Sequence, residues 1–217
     1  VKADEPFIYK AEGVTLPKND AHALSLFFDF GGSPIGANIK ISKIYFEESV
    51  EMNYDDANNL WKSVDSGDAF ISVTPWFAND SWSQIGDPPW SHNGKEWTLT
   101  IPEGMGGSQW QGQFPINTTL ATAQNDVYNF QCTLVADNDC NGVTIKLTET
   151  DDASKHDDNF YFAAQHNVKA DEPYVYKATG VTLPKNDAHA LSLFFDFGGS
   201  PIGTQITIKD IIFEKAQ

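Results

Sequence analysis

Residues 1–36, VKADEPFIYKAEGVTLPKNDAHALSLFFDFGGSPIG, return at 168–203 with only three changes: Phe7/Tyr174, Ile8/Val175 and Glu12/Thr179. Beyond them the copies drift, ANIKISKIYFEES against TQITIKDIIFEKA, while the alternation of apolar residues is kept. The 118 residues between the copies, Val50 to Asn167, have no second version. A repeat has to be accounted for before any fold is assigned, and a solenoid would need several short copies in succession. The pattern fits a cut through a tandem array, with 1–50 as the C-terminal part of a preceding, truncated module and 51–217 as one complete module. The strands of 1–50 would carry unpaired edges and an apolar face. Because they nearly duplicate 168–217, they are expected to compete for the same partner strands, within the chain or in a strand-swapped dimer.

Alternation decides the fold class. In LSLFFDF, Leu191, Leu193, Phe195 and Phe197 fall on one face, and Ser192, Phe194 and Asp196 on the other, the period of a half-buried strand. Tyr128 to Val135, Val143 to Thr148, Phe160 to Ala163, Tyr174 to Ala178 and Gln205 to Glu214 read the same way. Turn clusters separate them, DNDCNG at 137–142, TDDASKHDDN at 150–159, LPKND at 183–187 and GGSPIG at 198–203. One short helix is expected around Asp55 to Lys62. Many short strands between regular turns predict an all-β chain, a β-sandwich jelly roll of two antiparallel sheets. Cys132 shares parity with core residues of its strand and Cys140 falls in the following turn, so a disulfide between them is disfavoured by geometry but left open.

Charge excludes several partners. The chain has 14 lysines, no arginine and 30 acidic residues, a net charge of −16. Nucleic acid and anionic membrane surfaces would be repelled. No apolar run is long enough to cross a bilayer, and Val1 to Lys10 hold no signal-peptide core, so an export signal is expected upstream or already removed.

All six tryptophans, Trp61, Trp76, Trp82, Trp90, Trp97 and Trp110, lie between the two copies. Trp97 belongs with Leu99 and Ile101 on the inner face of a strand, and Trp61 also reads as structural. Trp76, Trp82 and Trp90 sit in TPWFANDSWSQIGDPPW, a polar, turn-rich segment where an indole has less reason to be buried, and at least one is expected to be exposed. An exposed indole beside amides and carboxylates suits a pyranose, whose C–H face packs on the ring while its hydroxyls meet short donors and acceptors. GGSQWQGQF offers that combination in Trp110, Gln109, Gln111 and Gln113, with glycines that admit a ligand to the backbone. The alternative has Trp110 and Phe114 packing inside together and the glutamines in solvent.

The order of these motifs resembles carbohydrate-binding modules of family 4 and of families 9 and 22. The resemblance rests on W-x-x-Q (Trp110 to Gln113), a Tyr-x-Phe strand (Tyr128, Phe130), an apolar strand ending in Phe-Gly, and a closing strand TIKDIIFE at 207–214. It spans about 55 to 217, and residues 1–50 match the family's C-terminal part alone. Tandem modules of this kind resemble those inserted in family 10 xylanases of gut Bacteroidetes. The resemblance implies a jelly roll with a concave glycan-binding cleft, Trp110 as platform with Gln113 as its polar partner, and Asp196 before Phe-Gly, where xylan-binding relatives can have His. Phe194, on the same face as Asp196, and Phe160 or Phe162 would add rings. It also implies a structural Ca²⁺ held partly by an acidic pair in the closing strand, but the first position here is Lys209, which leaves Asp210 as the candidate ligand.

The expected function is non-catalytic: a module that binds xylan or a related plant polysaccharide, attached to a catalytic domain, secreted or at the cell surface, and needing no cofactor. The competing readings are a jelly-roll glycosidase or lyase, a module for β-glucan or cellulose, and an adhesion domain. A glycosidase usually needs two carboxylates roughly 5 to 9.5 Å apart. Between the copies the only glutamates are Glu51, Glu96, Glu103 and Glu149, scattered along the chain, and the clamp motif E-x-D-x-x-E fails at Ser154. The acidic run Asp151, Asp152, Asp157, Asp158 with His156 matches no complete calcium loop and is expected to be a solvated turn.

Overall fold

The computed structural model describes residues 26–41, 44, 52–123, 126–149, 160–182 and 190–216. The chain divides into two units, Val1–Glu51 and Met52–Gln217. In the second unit the predicted alternation becomes two antiparallel sheets. One sheet holds β1 (Phe70–Val73), β2 (Trp76–Phe77), β5 (Gly112–Ala121), β7 (Cys140–Glu149), β8 (Phe160–Val168) and β10 (Ala190–Asp196), in the order β1-β5-β10-β7-β8 with β2 also paired to β5. The other holds β3 (Trp90–His92), β4 (Trp97–Thr100), β6 (Tyr128–Ala136), β9 (Tyr174–Val181) and β11 (Gln205–Lys215), in the order β3-β4-β11-β6-β9. The unit is an all-β sandwich of jelly-roll type. Among the described residues no helix is long and apolar enough to cross a membrane.

The core lies between the sheets and is built from the faces the alternation assigned to it. Leu191, Leu193, Phe195 and Phe197 of the β10 segment meet Phe114 and Ile116 of β5, and Val143, Ile145 and Leu147 of β7. From the opposite sheet come Trp97, Leu99, Phe130, Leu134, Ile206, Ile208, Ile211 and Phe213. Full burial of each of these side chains contributes roughly 1.5–3 kcal/mol. Trp61 and Trp97 are fully buried, as expected. Cys132 and Cys140 are both buried free thiols; Cys140 is the first residue of β7 rather than part of a turn.

The helix is displaced from its expected place. It spans Lys62–Asp65 only, because the residues before it prefer side-chain turns: Asn53 Oδ1 accepts from Asp55 N–H and Asp56 Oδ1 from Asn58 N–H, which diverts the backbone from helical bonding. Its buried Asp65 is tied down by the Tyr54 hydroxyl at 2.7 Å.

Asn59 is the joint between this segment and the second sheet. Its Nδ2 donates to the carbonyls of Tyr54 and Ile211, and its Oδ1 accepts from the N–H groups of Trp61 and Phe213. Ile211 lies in a bulge of β11 between Lys209 and Ile212, where Asp210 takes φ +49°, and Phe213 follows it. A bulge breaks the ladder locally, and the Asn59 side chain replaces what is lost. Asn59→Ala leaves several of these buried backbone groups unsatisfied, at about 1–3 kcal/mol each. Its melting temperature, measured by circular dichroism, is expected to fall well below that of Asn58→Ala, whose side chain is exposed.

Candidate functional site

The outward face of the first sheet carries a row of side chains drawn from five strands. Residues paired across antiparallel strands share a face. Trp76 pairs with Gln113, Gln113 with Asp196, Asp196 with Thr144, and Thr144 with Gln165. None of the five belongs to the core cluster. With strands about 4.8 Å apart, the row spans about 19 Å, several pyranose rings in length. Behind it a second row follows the same register, Pro115, Phe194, Lys146 and Ala163, in which the Lys146 ammonium stands 4.6 Å from the centre of the Phe194 ring.

Aromatic rings stand at both ends. At the β2 end, Trp82 stacks on Trp76 with centroids 6.2 Å apart and planes 24° from parallel. Trp82 is 50% exposed and adopts φ +60°, a left-handed conformation that is unusual for a bulky residue. Asn79 holds it there: its carbonyl accepts from Trp82 N–H, and its Oδ1 accepts from the N–H groups of Ser81 and Ser83. At the β7–β8 end, Trp110 is 59% exposed and lines a depression of about 280 Å³ with Gln109, Thr144, Lys146, Ala163, Ala164, Gln165 and Asp196.

Trp110 faces outward because Gln109–Gln111 form a 3-10 turn, which interrupts the alternation that would have aligned it with Phe114, a fully buried residue. Five hydrogen bonds fix that turn. The Gln111 amide closes it from within, accepting from Ser108 N–H and donating to the Asn79 carbonyl. The Gln109 amide donates to the Thr144 hydroxyl and accepts from Gln165. Gly198 N–H donates to the Gln109 carbonyl, and a Cβ at Gly198 would lie 1.9 Å from the Ser108 carbonyl oxygen, so only glycine allows this approach.

Asp196 occupies the middle of the row and is nearly inaccessible, at 3% exposure. Burial pushes its carboxyl up to about 6, against the opposing pull of Lys146 and of the Thr144 hydroxyl. Its Oδ1 has no hydrogen-bond partner among the described residues. A ligand would meet Asp196 only through the part of the residue that lines the depression beside Trp110.

The structure thus brings together Trp76, Trp82, Trp110, Gln109, Gln113, Asp196 and Phe194. It sets two other candidates apart. Gln111 is buried and occupied within its own turn. Trp90, though 39% exposed, pairs with Leu99 in the second sheet and packs on Trp97 and Phe114, so it closes the edge of the core. Phe160 and Phe162 lie on β8, with side chains outside the described residues, as does the acidic run with His156. Thr144, Lys146 and Gln165 were missed. Alternation in VTIKLT marked Thr144 and Lys146 as outward-facing, but nothing local says that β7 lies beside β10.

Asp210 is exposed on the β11 bulge, and among the described residues no three carboxylate, imidazole or thiol groups converge on a cation site. A hard dication needs six or more oxygens.

No protein-family model matches the chain, and none of the curated proteins does. Among solved structures it is similar to a carbohydrate-binding module described as "CBM4 structure and function", at 19% identity over 66% of this chain and 86% of the other, with a TM-score of 0.45. It is similar also to the N-terminal cellulose-binding domain of Cellulomonas fimi β-1,4-glucanase C, at 15% identity over 67% and 90% of the two chains, TM-score 0.44. A third is a family 29 module in complex with cellulohexaose, at 16% identity over 66% and 90%, TM-score 0.34. At such values the assignment of the fold rests on the strand order and register described above, and the chain is similar to these carbohydrate-binding modules without being placed in one of their families.

Proposed function

We propose that the chain is a non-catalytic module that binds a β-linked plant polysaccharide, xylan foremost, and holds an attached glycoside hydrolase on its substrate outside the cell. The observation that supports this most is the row itself: indoles at either end, and between them a buried carboxylate, a hydroxyl and amides at strand spacing. A linear glycan laid across the strands would stack sugar faces on Trp110 and on the Trp76–Trp82 pair. Its hydroxyls would donate to Asp196 and exchange hydrogen bonds with Gln113, Gln109 and Gln165. Neutral sugars are not repelled by a charge of −16, and tethering raises the effective concentration of the catalytic domain at the polymer. The same row gives no support to a glycosidase. Asp196 is its one carboxylate, whereas hydrolysis of the usual kind takes two flanking the bond.

Affinity electrophoresis in gels containing soluble xylan, mixed-linkage β-glucan or hydroxyethylcellulose tests this reading. Retardation is expected in xylan, and Trp110→Ala should weaken it about tenfold, equivalent to about 1.4 kcal/mol. Trp90→Ala should leave retardation unchanged while lowering the melting temperature. Retardation confined to β-glucan or hydroxyethylcellulose would move the specificity to glucans, and none in any gel would remove the glycan reading.

Asp196 also predicts a pH dependence of stability. Its folded-state value near 6 lies above the ordinary 3.8, so the folded state gains from the proton: the contribution is fully present below about pH 4 and lost as pH rises through 6, up to about 3 kcal/mol in all. Asp196→Asn should therefore be more stable relative to wild type at pH 7 than at pH 4, as read from denaturant midpoints. Equal differences at both values would show that the buried carboxyl does not titrate in this window.

A further inference from the structure

Gln111 is a buried amide between the turns of two exposed indoles. At 1% exposure it is out of a ligand's reach, and both ends of its side chain are engaged. Its Oε1 accepts from Ser108 N–H at 2.8 Å, and its Nε2 donates to the Asn79 carbonyl at 2.6 Å. A buried amide is kept where its bonds are made, and these two serve different turns. The loop before it presses directly on the amide: a Cβ at Gly106 would lie 2.2 Å from Gln111 Oε1, so no side chain fits between them.

The Asn79 carbonyl is the point at which the turns meet. It accepts from Trp82 N–H at 2.8 Å, closing the turn that carries Trp82, and from Gln111, whose own turn carries Trp110. A carbonyl oxygen has two lone pairs, and here each holds the turn of one exposed indole. Further bonds run between the same segments: Ala78 N–H donates to the Gln111 carbonyl, Gly106 N–H to the Ala78 carbonyl, and Gly107 N–H to Asp80 Oδ1. They extend the pairing of Trp76 with Gln113 and of Phe77 with Gly112 as far as the two turns. Trp82, at φ +60°, depends on such support, since a bulky residue holds a left-handed conformation only where its surroundings impose it.

We infer that Gln111 is a positioning residue that fixes Trp82 and Trp110 in one frame, so that the site discriminates glycans by whether they reach both indoles. The inference rests on the glycan reading above. A frame set before binding spares the ligand the cost of ordering two turns, and a chain long enough to touch both indoles gains most from it. A short chain on one indole draws on that indole's turn alone. Length selection then comes from a residue that never touches the sugar.

The full chain labelled with 5-fluorotryptophan tests the frame without any ligand. Six fluorine signals are expected, one for each tryptophan, assigned by single replacements with Phe. Gln111→Met keeps the length of the side chain and removes the amide. Asn79→Ala loosens the Trp82 turn by removing the Oδ1 that accepts from Ser81 and Ser83 N–H. Each variant is expected to shift the signals of both Trp82 and Trp110, and to leave those of buried Trp61 and Trp97 in place. If Gln111→Met fails to fold, Trp61 and Trp97 report it, and Asn79→Ala, on a partly exposed turn, decides the question alone. A folded variant that moves only the indole of its own turn overturns the inference. Titration with xylobiose and xylohexaose, or with cellobiose and cellohexaose where glucan is the ligand in the gels, adds the functional arm. The wild-type preference for the longer sugar is expected to fall about tenfold in either variant. An equal loss for both lengths would show that the platforms act separately, and would overturn it. Wild type that binds no sugar would remove the glycan reading and length selection with it, while the fluorine signals would still decide whether the turns form one frame.

Discussion

The strands at the centre of this sandwich come last in the order of its own strands. β10 is flanked by β5 and β7, and β11 by β4 and β6, so neither sheet is continuous until residues 190–216 are in place. Each inserted strand has ladder partners on both sides and contributes a full face to the core. The cost is that these pairings span long stretches of sequence, which makes closure entropically expensive and slow. The apolar density of LSLFFDF offsets that cost: four of its seven residues are fully buried in the core, and Phe194 is covered on the other side by Lys146.

The outward residues of the same strands make the candidate site. Asp196 sits between Phe195 and Phe197, whose rings lie in the core, so its carboxylate is carried by a strand anchored on both sides of it. Its environment is dry enough to favour the proton, yet Lys146 and Thr144 pull the other way. The aromatic platforms are attached differently. Trp110 and Trp82 are on short turns whose geometry is imposed by amide side chains, Gln109, Gln111 and Asn79. A rigid polar centre between aromatic platforms on turns suits a polymer whose sugar faces differ slightly in tilt from one residue to the next.

The fold was legible because period-2 alternation and turn chemistry act locally. The inner face of LSLFFDF, the burial of Trp61 and Trp97, and the strands from Tyr128 onward follow from neighbours in sequence. Local reasoning failed where a side chain answers to a distant partner. Asn59 reaches Ile211 and Phe213 and sits in the turns that precede the displaced helix. Gln111 looks like a rim amide until its bond to Asn79 is known. Trp90 sits in a polar segment but is drawn against Phe114 from across the sandwich. Gln165 and Thr144 join the site only because β7 and β8 follow β10 in the sheet, an order that alternation cannot express.

One consequence of the row concerns when it comes into being. Its members are collected from positions 76, 113, 144, 165 and 196, and no two adjacent members are near in sequence. A slip of one residue in any strand would turn that strand's contribution into the core and a core residue out. Without β10 the row lacks Asp196 and the strand that brings Gln113 beside Thr144, so the complete row exists only once β10 is in place. A ligand on this face therefore draws on the native state alone, and every increment of binding acts as an increment of resistance to unfolding.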